Sequence, residues 1–140
     1  MTWFVWALLS AFFAGITAIL AKVGVAGVNS HLATAIRTVV VLLFTWAIAL
    51  AVVPAGALGA ISRRTWYFLA LSGLATGLSW LCYFRALQLG EASQVAPVDK
   101  LSVVFAIALA AVFLHEHLTW QQWTGGGLIL AGAILIALKF

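Results

Sequence analysis

The sequence predicts an all-α integral membrane protein with five transmembrane helices, in a single domain that covers residues 1–140. Of its 140 residues, 66% are hydrophobic and only 7% are charged, and the mean hydropathy is +1.19. A soluble domain could not bury that much apolar surface. The apolar residues fall into five runs, each close to the roughly 20 residues that a helix needs to cross a bilayer. The runs cover approximately residues 3–21, 32–53, 66–87, 92–114 and 120–138.

The first two helices are separated by a turn-rich connection. No positive region precedes the run 3–21, and no convincing small-residue cleavage site follows it. We therefore predict a retained span and not a signal peptide. Gly24 and Asn29 favour a turn before the second helix, and Gly56 favours another turn after it.

The last three helices are joined by tighter turns. Residues 89–91 and 115–117 are short polar interruptions between apolar runs. Thr119 followed by Gln122 fits a capping box, in which the hydroxyl and the amide satisfy free N–H groups at the start of a helix. We therefore predict that the fifth helix begins directly after Thr119.

Several classes of function are excluded by what the chain contains. The net charge of +4 comes from isolated residues and forms no basic patch that could follow nucleic-acid phosphates. A single cysteine, Cys82, gives no disulfide framework. The motif at residues 115–117 does not set two histidines on one helix face, so we predict no metal site and no cofactor. No nucleophile, base and third group occur together, so we predict that the chain is not an enzyme.

The distribution of cations sets the expected topology only weakly. Five spans put the two termini on opposite sides of the membrane, and the N-terminal side receives Arg63 and Arg64. Gly73 and Gly77 form a GxxxG seam that either packs within one protomer or against a second copy. Lys22 and Arg37 lie within helix ends, and without them each side would hold two cations. Insertion in both orientations and pairing with an inverted copy are therefore expected. One fixed orientation remains the alternative. The opposite side receives Lys22, Arg37, Arg85 and Lys139.

Polar residues inside the apolar runs are the candidate functional groups, because charge in hydrocarbon costs on the order of 3 kcal/mol. At about 1.5 Å per residue, Arg37 lies roughly 8 Å into its helix, while Asp99 and Trp80 lie about 10 Å into theirs. Thr17 comes to nearly the same level. These residues predict one polar and aromatic layer at about this depth from one side of the membrane, with an ion pair between Arg37 and Asp99. The matching layer of an inverted copy would lie within roughly 10 Å of it, so that the two layers bracket the midplane of a core about 30 Å thick. The predicted substrate-binding residues are Thr17, Arg37, Trp80, Tyr83, Asp99 and Lys100.

A structural role for the same residues stays open. Pro97 suits the first turn of a helix, so the regular fourth helix could begin there and place Asp99 in its opening turn. Lys100 would then extend its ammonium group to the membrane surface. Trp80 and Tyr83 have the spacing of ordinary helix packing as well as that of an aromatic wall.

The chain resembles the EamA-type repeat of the drug/metabolite transporter superfamily. The resemblance rests on YFRAL at residues 83–87, the small-residue entry to the fourth helix, Leu118-Thr119, and the run from Gln122 to Gly132. Arg37 also matches the repeat. The stretch from Pro97 to Ser102 is similar to that of the five-helix, half-size group of bacteria and archaea. The family commonly has glycine before the acid of the last turn, where this chain has His115.

The resemblance implies a function and a form of assembly. It implies transport or export of small polar metabolites such as amino acids, by alternating access through a cavity between two inverted five-helix copies. The expected location is the cell membrane of a prokaryote. The alternatives are a non-transporting membrane partner and one half of a heterodimeric transporter.

Overall fold

The computed structural model describes residues 2–54 and 56–138, and this part of the chain contains helices and no strand. A short 3-10 turn at Ala57–Ala60 separates the second helix from the third. The cation Lys139, counted above for the topology, lies outside the described residues. The helices are α1 (Trp3–Gly24), α2 (Ser30–Val52), α3 (Arg63–Leu89), α4 (Ala92–Asp99), α5 (Ser102–Phe113) and α6 (Trp120–Ala137).

The prediction of an all-α membrane protein is confirmed for four spans. Trp3–Gly24, Ser30–Val52, Arg63–Leu89 and Ala92–Phe113 are each long and apolar enough to cross a membrane. Helix α6 begins at the predicted residue but does not belong to this set. Its first turn carries two glutamines and three glycines follow it, so its apolar part is shorter.

The fourth predicted helix begins at Ala92 as expected and gives one apolar span to Phe113, with a turn at Lys100 and Leu101. The alternative, a regular helix that starts at Pro97 with Asp99 in its opening turn, is wrong. Helix α4 begins at Ala92 and contains Pro97, so the regular helix does not start at the proline. Asp99 is its last residue, at the negative end of the helix dipole and not at the favourable positive end. The Lys100 N–H donates to the Pro97 carbonyl at 3.1 Å. This spacing belongs to a 3-10 turn, which tightens the backbone before α5.

The described residues divide into two compact units, Ala21–Gln88 and a second one formed by Met1–Leu20 with Leu89–Phe140. In the second unit α6 packs on α4 and α5. Gly126 is buried there, and a Cβ at this position would meet the Ile107 side chain at 3.4 Å. The small residue therefore lets the α6 backbone approach its neighbour.

Two local features define the connection between α5 and α6. The predicted capping box is confirmed, since the Thr119 N–H donates to Gln122 Oε1 at 2.7 Å and the Gln122 N–H donates to Thr119 Oγ1 at 3.4 Å. Just after α5, His115 has a φ of 54°. This left-handed conformation favours glycine, the residue that the family commonly has there.

Candidate functional site

An arginine–aromatic cluster within Ala21–Gln88 is the centre of the candidate site. The side chain of Asn29 accepts a hydrogen bond from the His31 N–H at 2.9 Å and so defines the start of α2. Arg37 follows two turns later. Its guanidinium carbon lies over the Trp80 ring of α3, 4.3 Å from the ring centroid, and 5.5 Å from that of Phe84. Arg37 and Trp80, which the sequence predicted to lie at similar depth, are therefore in contact.

The cluster holds a cation among aromatic rings. Arg37 and Trp80 are half-buried, whereas Phe84 is only 3% exposed. Tyr83 lies close enough to interact electrostatically with Arg37, and its ring meets that of Phe84 edge to face at 6.5 Å between centroids. A guanidinium that stacks by its face keeps its edge N–H groups available for a planar carboxylate. The arrangement is thus able to bind an anion next to an apolar ring.

Contacts that the sequence did not predict hold α3 against the last turn of α1 and the connection that follows it. The Lys22 ammonium donates to the Leu87 carbonyl at 2.6 Å, near the end of α3. The side-chain amide of Gln88 donates to the Val28 carbonyl at 2.5 Å. Leu87 itself is fully buried. These polar contacts tie the C-terminal turn of α3 to the segment that precedes the Arg37 helix.

The other predicted residues belong to the second unit. Lys100 Nζ lies 3.4 Å from Asp99 Oδ2, and the two side chains are 55% and 34% exposed. Such an exposed pair contributes little stability. Thr17 is half-buried on α1, beside the buried Ala18. The structure thus brings Arg37, Trp80 and Tyr83 together, and Asp99 with Lys100, while the ion pair between Arg37 and Asp99 stays a prediction.

Among the described residues, no group of three or more His, Cys, Asp or Glu side chains is arranged to hold a metal ion.

A chain with several apolar spans and a cation within one of them raises the question of its family. The model of the EamA-like transporter family matches residues 1–138. The chain belongs to the EamA-like transporter family. Membership makes it a multi-pass membrane protein and supports a membrane transporter.

Three relatives are similar in sequence to this EamA-like chain. An uncharacterized transporter in the cobO 3′ region of Sinorhizobium sp. is 55% identical over 136 residues, which cover 97% of this chain and 96% of the relative. A probable terminal-alkyne amino-acid exporter of Streptantibioticus cattleyicolor is 41% identical over 73 residues, 49% of this chain and 24% of the exporter. A probable 4-amino-4-deoxy-L-arabinose-phosphoundecaprenol flippase subunit ArnE of Aeromonas hydrophila is 28% identical over 75 residues, 53% of this chain and 63% of the subunit. No solved structure matches the chain significantly.

Proposed function

We propose that this EamA-like chain transports a small zwitterionic metabolite with an apolar portion, by alternating access, as an inverted homodimer in a prokaryotic cell membrane. The observation that carries the proposal is the position of Arg37, over the Trp80 ring and beside Phe84 within helices that are otherwise apolar. Cations within membrane spans are costly and mark substrate or ion paths by default.

The chemistry of the cluster favours an amino-acid-like substrate. The edge of the Arg37 guanidinium would bind the substrate carboxylate, and the Trp80 ring would cover its apolar portion. Asp99 belongs to the other unit, and its contact with the substrate ammonium group stays a prediction. The name of the Streptantibioticus relative, an amino-acid exporter, supports this substrate class.

Two features of the chain support an inverted pair. The first is charge: Lys22 and Arg37 lie within helices, and without them each side holds two cations, a balance that would permit both orientations. The second is length: the 18 residues of α6 extend about 27 Å at the usual rise and come close to the hydrocarbon thickness. With α6 as a fifth span, two inverted copies would supply the ten helices of a complete carrier.

The substrate test begins with the purified chain in detergent. A panel of neutral amino acids is screened for thermal stabilisation, because a ligand at 100 times its Kd adds about 2.7 kcal/mol of stability. Hits are then assayed for uptake into proteoliposomes. We expect aromatic or branched zwitterions to stabilise the chain, and Arg37→Gln to remove both stabilisation and uptake. Arg85→Gln is the matched control, since Arg85 is exposed and donates a hydrogen bond to Gln88 on the same helix.

One half of a heterodimeric carrier is the second candidate, favoured by the relatives named as ArnE flippase subunits. Reporter fusion at the C-terminus separates the two. Signal on both sides of the membrane supports the inverted homodimer. Signal on one side, together with uptake only when a second five-helix chain is co-expressed, supports the heterodimer.

A further inference from the structure

A groove at the end of α2 is separate from the arginine–aromatic cluster. Its volume is about 620 Å³. It follows the last two turns of α2 and continues under the 3-10 turn, so it extends roughly 12 Å from the loop toward the membrane interior. We call it the α2–α3 groove. Its lining includes Trp46, Leu50, Val53, Leu58 and Ile61.

The groove is apolar and open to the surroundings of the chain. Leu50 is 74% exposed, and Trp46 and Leu58 are about half-exposed. Thr45 is the polar side chain of the lining, and its hydroxyl already donates to the Val41 carbonyl at 2.8 Å. The lining therefore offers contact area and no free directional polar group, which suits a hydrocarbon chain.

Two arginines stand at the loop end of the groove. Ile61 belongs to the lining, and Arg63 and Arg64 open α3 directly after Ser62. Arg63 is two residues and Arg64 three residues beyond Ile61, so their backbones are at most about 7 Å and about 11 Å of extended chain from the groove lining. The Arg64 guanidinium lies over the Phe68 ring at 5.8 Å, which keeps it against the first turns of α3.

The placement of these arginines is unfavourable for the helix alone. The first turn of α3 contains no acidic residue, and its helix N-terminus already carries partial positive charge. An anion at this position would relieve the repulsion between the two cations and the dipole. Trp66 and Tyr67 follow at once and are exposed, as is usual for residues at headgroup level.

We propose that the α2–α3 groove binds one anionic phospholipid, with an acyl chain along Trp46 and Leu50 and the phosphate at Arg63 and Arg64. The occupant follows from the combination of features: an apolar groove along the end of α2, with two cations two and three residues beyond the last residue of its lining. A neutral phospholipid would fill the apolar groove but would not neutralise the two arginines. This site lies outside the transport cluster and is independent of the proposed substrate.

The test uses quenching of Trp46 fluorescence in vesicles. The whole chain is reconstituted into phosphatidylcholine that contains a fraction of either dibrominated phosphatidylglycerol or dibrominated phosphatidylcholine. The chain has seven tryptophans, so the Trp46 signal is the difference between the chain and Trp46→Phe. Two cations near the membrane surface predict a preference for phosphatidylglycerol of about thirtyfold.

The variants decide the outcome. We expect Arg63→Gln with Arg64→Gln to abolish the preference, while Arg85→Gln, at the other end of α3, retains it. Inorganic phosphate added to brominated phosphatidylcholine vesicles should leave Trp46 quenching unchanged. Equal quenching by both lipids, or a preference that survives loss of both arginines, overturns the proposal. Absence of quenching by either lipid also overturns it, since a second copy of the chain or another segment would then fill the groove.

Discussion

The guanidinium carbon of Arg37 lies 4.3 Å from the centroid of the Trp80 ring, so a cation on α2 and an indole on α3 form one contact inside the apolar part of the chain. The contact accounts for the tolerance of a charge in this position, because a cation over an indole face is stabilised by the ring quadrupole. It also fixes the direction of the guanidinium. We make three predictions on single residues of this cluster and its support at the end of α3, and a fourth on the turn after α5.

Removal of the indole should weaken the link between α2 and α3. We expect Trp80→Leu to lower the free energy of unfolding by about 1–2 kcal/mol, the range of a desolvated cation–π contact, and Trp80→Phe to lose less. The measurement is thermal or SDS-induced unfolding in detergent micelles. Trp123→Leu is the matched control, since Trp123 is 56% exposed at the start of α6. Equal losses in the two leucine variants would contradict the role of Trp80.

The cation itself should matter for transport more than for folding. We expect Arg37→Lys to fold and to lose most substrate-dependent stabilisation, because an ammonium group cannot present two parallel donors to a carboxylate. The readout is the shift of melting temperature with the best zwitterion of the panel. Full retention of the shift would show that Arg37 does not bind the substrate carboxylate.

The hydrogen bond between Lys22 and the end of α3 can be tested by its own effect on stability. Lys22 donates to the Leu87 carbonyl at 2.6 Å, where an ammonium group also complements the helix dipole. We expect Lys22→Met to lower the free energy of unfolding by roughly 1.5–3 kcal/mol, as for a hydrogen bond with one charged partner. Arg85→Met, which removes an exposed cation two residues before Leu87, serves as control. If the two variants unfold alike, the contact is not stabilising.

The stability of the turn after α5 should depend on how well residue 115 tolerates a positive φ. His115 has a φ of 54°, a conformation that costs a β-branched residue the most. We expect His115→Val to destabilise the chain by about 1–2 kcal/mol, and His115→Gly to stabilise it by about 0.5 kcal/mol, since the relief of strain exceeds the entropy cost of glycine. His117→Val, two residues away, should change little. The order Gly, His, Val in melting temperature is the checkable result, and any other order argues against a strained cap.

Much of the fold follows from the sequence because long apolar runs and short polar turns have few other interpretations. The start of α6 was predictable to the residue, since the capping box of Thr119 and Gln122 is a local device. The interruption after Asp99 was not, because neither Lys100 nor Leu101 is a helix breaker and the 3-10 turn there appears only in the backbone bonds. The absence of α6 from the clearest spans also follows from its composition, because the polar first turn lowers the mean hydropathy of this 18-residue helix.

The candidate site was predictable in part. Depth counting brought Arg37 and Trp80 to one level because the rise of a helix is constant, and they are in contact. The same counting cannot give rotation about the helix axis, so Phe84 was missed as the second ring. Gln88 was missed because its amide bonds to the distant carbonyl of Val28, a pairing across sixty residues of chain that no local pattern encodes.

The central claim is that Arg37 lies within the membrane thickness and faces water or substrate, not lipid. Its direct test is the reaction of engineered cysteines with a membrane-impermeant thiol reagent in proteoliposomes, in a Cys82→Ala background because Cys82 is free and exposed. Val39→Cys is the control, since it lies at nearly the same depth but about 200° around α2. We predict that Arg37→Cys reacts, that Val39→Cys does not, and that the best zwitterion protects position 37. Equal reactivity of the two cysteines, or reaction at position 39 alone, would contradict the account.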